Sequence, residues 1–242
     1  MKILYKIYSF CIATPLFILA TIIVSLIVAI AAILGDSKYL GYYVPKAWGR
    51  FTCWIYLMKV EVKGREYIDK NQSYVFLANH QGYLDILFVY GYLGHNFKWM
   101  MKEYLKKIPF LGYACLKSKH IYVGDSRSAI QNAVAQARET LRGGMSMVIF
   151  PEGTRTYTGQ MGEFKRGAFM LANEIGLPIV PMTINGCYDA FSRTAKSVTR
   201  TKLTLTIHKP IAEEERQGKP TKVFMQEVFD IINSGVDEKY RK

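Results

Sequence analysis

Cysteine is scarce in this chain: four in 242 residues, at Cys11, Cys53, Cys115 and Cys187. No two stand at the spacing of a metal-ligand or redox pair. That excludes a disulfide-framed secreted module and leaves free, structural thiols suited to a reducing compartment. Histidine is as sparse, with four, and no two are placed to share a metal, so none is expected. Repeats, low-complexity tracts and nucleic-acid-binding motifs are missing too. Acidic residues fall short of basic ones, 19 against 32, for a net charge of +13. Solubility is the plain account of such a balance. With half of the chain hydrophobic, an anionic membrane surface and phosphate-bearing substrates fit it better.

Charge is absent altogether from residues 12–34, a run broken by Pro15 and polar only at Thr14, Thr21 and Ser25. At about 1.5 Å per residue a helix of that length crosses a hydrocarbon core of roughly 30 Å. A signal peptide is the competing reading, but its apolar core is shorter, and Ala29-Ile30-Ala31 lies too deep in the run to be cleaved. A retained anchor is expected. Lys2 and Lys6 precede it and Lys38, Lys46 and Arg50 follow, so the flanking charges do not set its orientation. Residues 39–58 are aromatic and mildly basic, which suits either the headgroup level of a bilayer or a core helix. The expected division is an anchor and interfacial segment at 1–58 and an α/β domain at 59–242.

In that second part strands and helices alternate. Strands are expected at 60–62, 74–78, 97–101, 120–123, 145–150, 179–184 and 203–208. Leu203, Leu205 and Ile207 alternate with Thr204 and Thr206, the mark of a half-exposed strand. Helices are expected at 126–142, stopped by Gly143-Gly144, at 164–175, stopped by Gly176, and at 223–232, after a charged linker at 213–222. The class is α/β, a mixed sheet flanked by helices, with the chemistry at strand ends.

The apolar run 74–78 delivers Asn79-His80-Gln81-Gly82-Tyr83-Leu84-Asp85. Five helical steps of about 100° put His80 and Asp85 roughly 140° apart, so they do not meet on a regular helix. They meet if His80 sits in a loop, Gly82 makes a tight bend and Asp85 opens the next helix. A carboxylate on one ring nitrogen then leaves the other as a proton acceptor, half of a triad that needs no protein nucleophile when the substrate brings its own hydroxyl. The alternative is a histidine satisfying a turn while Asp85 caps a helix. A second run, 147–150, breaks into Pro151-Glu152-Gly153-Thr154-Arg155-Thr156. Turn chemistry explains its Pro and Gly but not its Glu and Arg, which suit an anionic or polyhydroxy ligand.

With these stretches in hand, the chain resembles the glycerolipid acyltransferases, specifically the 1-acyl-sn-glycerol-3-phosphate (lysophosphatidic acid) acyltransferases. Four blocks of that family stand in order: Asn79-His80 to Asp85; Lys102-Glu103-Tyr104-Leu105-Lys106-Lys107-Ile108-Pro109-Phe110-Leu111-Gly112; Phe150 to Thr156; and Pro178-Ile179-Val180-Pro181. The resemblance implies acyl transfer from a thioester, acyl-CoA or acyl carrier protein, to a lyso-lipid hydroxyl. It implies His80 as general base and Asp85 as its orienter, with no further cofactor. It places Asn79, Glu152, Gly153, Thr154 and Arg155 at the acceptor; Lys165, at an expected helix start, either joins Arg155 and Arg127 in a phosphate clamp or belongs with Arg166 to a solvated face. The family's arginine after the next strand is displaced by two positions here, to Arg127. That departure keeps another lyso-lipid acceptor open beside lysophosphatidic acid. A catalytically silent lipid-binding protein is the third reading, and the joint retention of His80 and Asp85 speaks against it. The expected location is a membrane, with the catalytic part on the cytoplasmic side of the inner or plasma membrane.

Overall fold

The computed structural model describes residues 2–35, 40–107, 111–124 and 126–242; Arg127 is described by its backbone alone. Among them, seven strands form one sheet: Lys59–Lys63 (β1), Val75–Ala78 (β2), Phe97–Lys102 (β3), Ile121–Val123 (β4), Ser146–Ile149 (β5), Ile179–Asn185 (β6) and Lys202–Ile207 (β7). The order across the sheet is β1-β7-β6-β2-β5-β3-β4. From β6 to β4 every neighbour is parallel. β7 runs antiparallel to β6, and β1 is parallel to β7. The sheet is therefore mixed, as expected, with its two reversed strands together at one edge.

Strand composition follows from this placement. β2, β5 and β6 are buried along their whole length, which suits near-continuous apolar runs covered on both faces. Side chains alternate across the sheet. Phe76 and Ala78 join one core with Phe88, Leu93 and Phe97. Val75 and Leu77 join another with Met147, Phe169 and Phe224. Helices Leu40–Ile55 and Asp85–Tyr92 cover the first face; Arg127–Thr140, Arg166–Ile175 and Thr221–Ser234 cover the second. Helices Leu40–Ile55 and Asp85–Tyr92 cross at Gly49 and Gly91, where a Cβ on Gly49 would stand 2.1 Å from the Leu87 carbonyl oxygen. The stretch expected as a charged linker is itself docked: it forms the short helix Glu213–Arg216. Buried Arg216 there donates to the Ala172 and Leu177 carbonyls at the end of helix Arg166–Ile175.

The N-terminal helix is longer than its uncharged run. It comprises Lys2–Tyr8, a π-helical turn at Ser9–Ala13, and Thr14–Ile33. Pro15 has no N–H for the Cys11 carbonyl, and the slip to wider hydrogen bonding, Thr14 N–H to Ser9 O, falls just before it. Its first turns dock on the fold. Tyr8 donates to Ile55 O at 2.7 Å, and Phe17 stacks on Trp48 with ring centroids 6.0 Å apart. Beyond Phe17, Ile18, Leu19, Ile22, Leu26 and Ile30 are exposed. With a mean hydropathy of 2.6, this is, among the described residues, the one helix long and apolar enough to cross a membrane, and only 6% of that window is buried.

Candidate functional site

Five parallel strands end on the same side, so their C-terminal loops stand in sheet order: Cys187 after β6, His80 after β2, Pro151 to Arg155 after β5, Lys102 at the end of β3, Gly124 after β4. This row is where open α/β sheets gather ligand groups.

Asn79 is held first. Its side chain donates to Ile184 O at 2.9 Å and accepts from Ile184 N at 2.7 Å, fastening the end of β2 to β6. The chain then turns at Gly82, where a Cβ would stand 2.6 Å from Phe191 O and 2.7 Å from Cys187 O, so only glycine fits. That turn carries Asp85 to the start of helix Asp85–Tyr92 and back under the histidine. Asp85 Oδ2 is 2.6 Å from His80 Nδ1, and it accepts the Gln81 and Gly82 amides at 2.6 and 2.8 Å. Asp85 is fully buried, and its other oxygen, Oδ1, has no hydrogen-bond partner. An ionised carboxylate only accepts, so the hydrogen-bond network assigns the proton to Nδ1 and leaves the Nε2 lone pair as an acceptor. The ring lies on Phe150, centroids 3.9 Å apart and 7° from parallel, and Phe150 lies on Trp99. The imidazole plane is thereby fixed on both its edge and its face.

Glu152 stands behind the histidine. One oxygen accepts the His80 amide at 2.7 Å and the other accepts the Gly162 amide at 2.7 Å. The Thr156 amide returns a bond to the His80 carbonyl at 2.9 Å. The two motif loops are thus tied through backbone on either side of the imidazole. Burial pushes the Glu152 carboxyl up to about 7, against the pull of those two amides.

The cations gather around Gly153. It has φ +67°, and a Cβ there would meet Lys165 Cγ at 3.7 Å and Lys102 Cε at 3.9 Å, so both lysine stems run past it. Lys165 also precedes helix Arg166–Ile175, whose positive N-terminal end carries no side-chain cap. Arg155 lies toward the histidine loop, its guanidinium 3.7 Å from the Tyr83 ring centroid. Thr154 accepts from Arg193 at 3.2 Å. A hollow of about 460 Å³ opens beside this group between Lys102, Lys107 and Gly124. Arg127 opens helix Arg127–Thr140, and its side chain falls outside the described residues. Among the described residues no three His, Cys, Asp or Glu side chains converge as a metal would require. Lys102 and Phe150 escape the residue-level reading. Lys102 is marked only by opening the second block at a strand end, and Phe150 only by opening the third at the end of an apolar run.

The acyltransferase family model matches residues 59–185. A 1-acyl-sn-glycerol-3-phosphate acyltransferase of Chlamydomonas reinhardtii is 30% identical over 217 residues, covering 86% of this chain and 62% of its own length. The enzyme of the same name from Pseudomonas aeruginosa is 34% identical over 149 residues, 59% of this chain and 57% of its own. Against the chloroplastic relatives of Brassica napus and Arabidopsis thaliana the chain spans 50% and 48% of their length. Among solved structures, that of the 1-acyl-sn-glycerophosphate (LPA) acyltransferase PlsC from Thermotoga maritima superposes with a TM-score of 0.75 at 25% identity, covering 97% of this chain and 94% of the other.

Proposed function

The chain belongs to the acyltransferase family, and from that membership we propose a membrane-bound enzyme that carries a fatty acyl group from a thioester to the free sn-2 hydroxyl of lysophosphatidic acid, giving phosphatidic acid. The thioester is acyl-CoA or an acyl carrier protein conjugate. His80 Nε2 takes the hydroxyl proton as the oxygen attacks the thioester carbonyl. Asp85 holds the ring and stabilises the imidazolium. The tetrahedral intermediate collapses with loss of the thiolate, which takes the proton from His80. Atoms and charge balance without an acyl-enzyme.

One observation carries this reading: a histidine bonded through Nδ1 to a buried carboxylate at 2.6 Å, beside Lys102 and Lys165 on the neighbouring loops. A charged pair flanking a glycine suits a phosphate monoester. Membrane attachment is supported by the exposed apolar helix, and a cytoplasmic active site by four unpaired cysteines. The test is release of free thiol by the purified protein given acyl-CoA or acyl carrier protein donors and a panel of lyso-lipids. Release dependent on lysophosphatidic acid is the expected result. Preference for a zwitterionic or neutral lyso-lipid would replace the acceptor, and no release with any pair would remove the activity.

A further inference from the structure

The carboxylate oxygen left over at Asp85 is the most unusual atom of the site. Oδ2 takes a ring nitrogen and two amides, while Oδ1 is buried with no hydrogen-bond partner. A buried carboxylate oxygen left unpaired is costly, and one of its neighbours has the chemistry to pair it. Cys187, fully buried at the start of helix Cys187–Phe191, packs its carbonyl against Gly82, 2.7 Å from where a Cβ there would stand, next to the Gly82 amide that Asp85 accepts. The same helix touches the histidine loop by backbone: its Phe191 carbonyl accepts the Tyr83 amide at 3.1 Å. These backbone contacts hold Cys187 beside the turn that carries Asp85.

We propose that Cys187 is a positioning residue of the catalytic pair: its S–H turns onto Asp85 Oδ1, leaving Oδ2 to His80 and the two amides. This rests on the reading of His80 as general base. The thiol is no nucleophile, because burial first, and the Asp85 charge second, hold its pKa well above the usual thiol range. Its effect is on the carboxylate. An S–H on Oδ1 shares the negative charge; without it the carboxylate would favour the imidazolium more strongly and hold its own rotamer less well. Other titratable or charged groups near this centre include Glu152, through the loop after β5, Tyr83 with Arg155 on its ring, and Cys53 of helix Leu40–Ile55.

The test compares Cys187→Ala, Cys187→Ser and Cys187→Thr. In Cys187→Ala, kcat should fall about tenfold with both KM values unchanged. The acid limb of kcat should move to higher pH, since His80 then stays protonated longer. Cys187→Ser and Cys187→Thr, which keep a donor, should restore both. Independently of activity, the infrared S–H stretch of Cys187, isolated as wild type minus Cys187→Ser, should lie lower in wild type than in an Asp85→Asn background. Wild-type kcat and pH limb in Cys187→Ala would overturn the proposal, as would equal impairment of Cys187→Ala and Cys187→Ser. If Cys187→Ala does not fold, the infrared band decides: no difference between backgrounds overturns it. Should wild type transfer no acyl group, the functional reading fails while the band still reports on the bond.

Discussion

Replacing His80 with Ala removes the Nε2 lone pair and leaves the backbone bonds to Glu152 and Thr156 in place. Thiol release should fall by about 10²–10⁴-fold in a protein that still folds. Folded His80→Ala with near-normal turnover would end the mechanism. Arg155→Ala and Lys102→Ala should instead raise the acceptor KM and leave the donor KM near normal, as steady-state kinetics with each substrate varied would show. Glu152 makes a pH prediction. Its folded pKa, about 7, lies above the ordinary carboxyl value of 4.5, so the folded state binds more protons in between. Stability should therefore fall as pH rises from about 4.5 to 7. Melting temperatures across that window should show a flatter profile in Glu152→Gln, and identical profiles would remove Glu152 as the group responsible. At this scale the sequence is legible where chemistry is rare. A histidine and an aspartate at strand ends stand out. That Glu152 accepts two amides is not written in its letter, and Lys102 is one basic residue among 32.

β2, β5 and β6 are readable as short apolar runs between turn residues, because a strand covered on both faces must be apolar throughout, and β7 by its alternation. Their partners are not, since pairing is decided between distant residues. Nothing local in Lys59–Lys63 says that it lies beside Lys202–Ile207, and nothing in the latter says that it runs against its other neighbour. The π-helical turn before Pro15 is similar: the proline is visible, but the way the helix absorbs it is not. Asn79 is the testable joint between elements. Asn79→Ala would leave the Ile184 N–H and C=O buried and unpaired. Unfolding free energy should drop by roughly 2 kcal/mol or more in denaturant titrations. The N-terminal helix predicts a different experiment. A high-salt wash should leave the protein in the membrane fraction, because hydrophobic burial is not screened, and detergent should release it. Complete release by salt alone would reduce the helix to a minor contact.

For the molecule as a whole, on the proposed membrane-bound reading, a charge of +13 and a helix with an exposed apolar surface would act on one boundary, the first from a distance and the second on contact. Such a tether would also change what substrate concentration means. An enzyme tethered beside its lipid acceptor meets it by lateral diffusion, so the controlling variable is the acceptor's mole fraction in the surface, not its molarity in the tube. Diluting mixed vesicles with buffer at constant composition should leave turnover nearly unchanged. Diluting the acceptor with inert lipid at constant bulk amount should lower turnover in proportion to surface coverage.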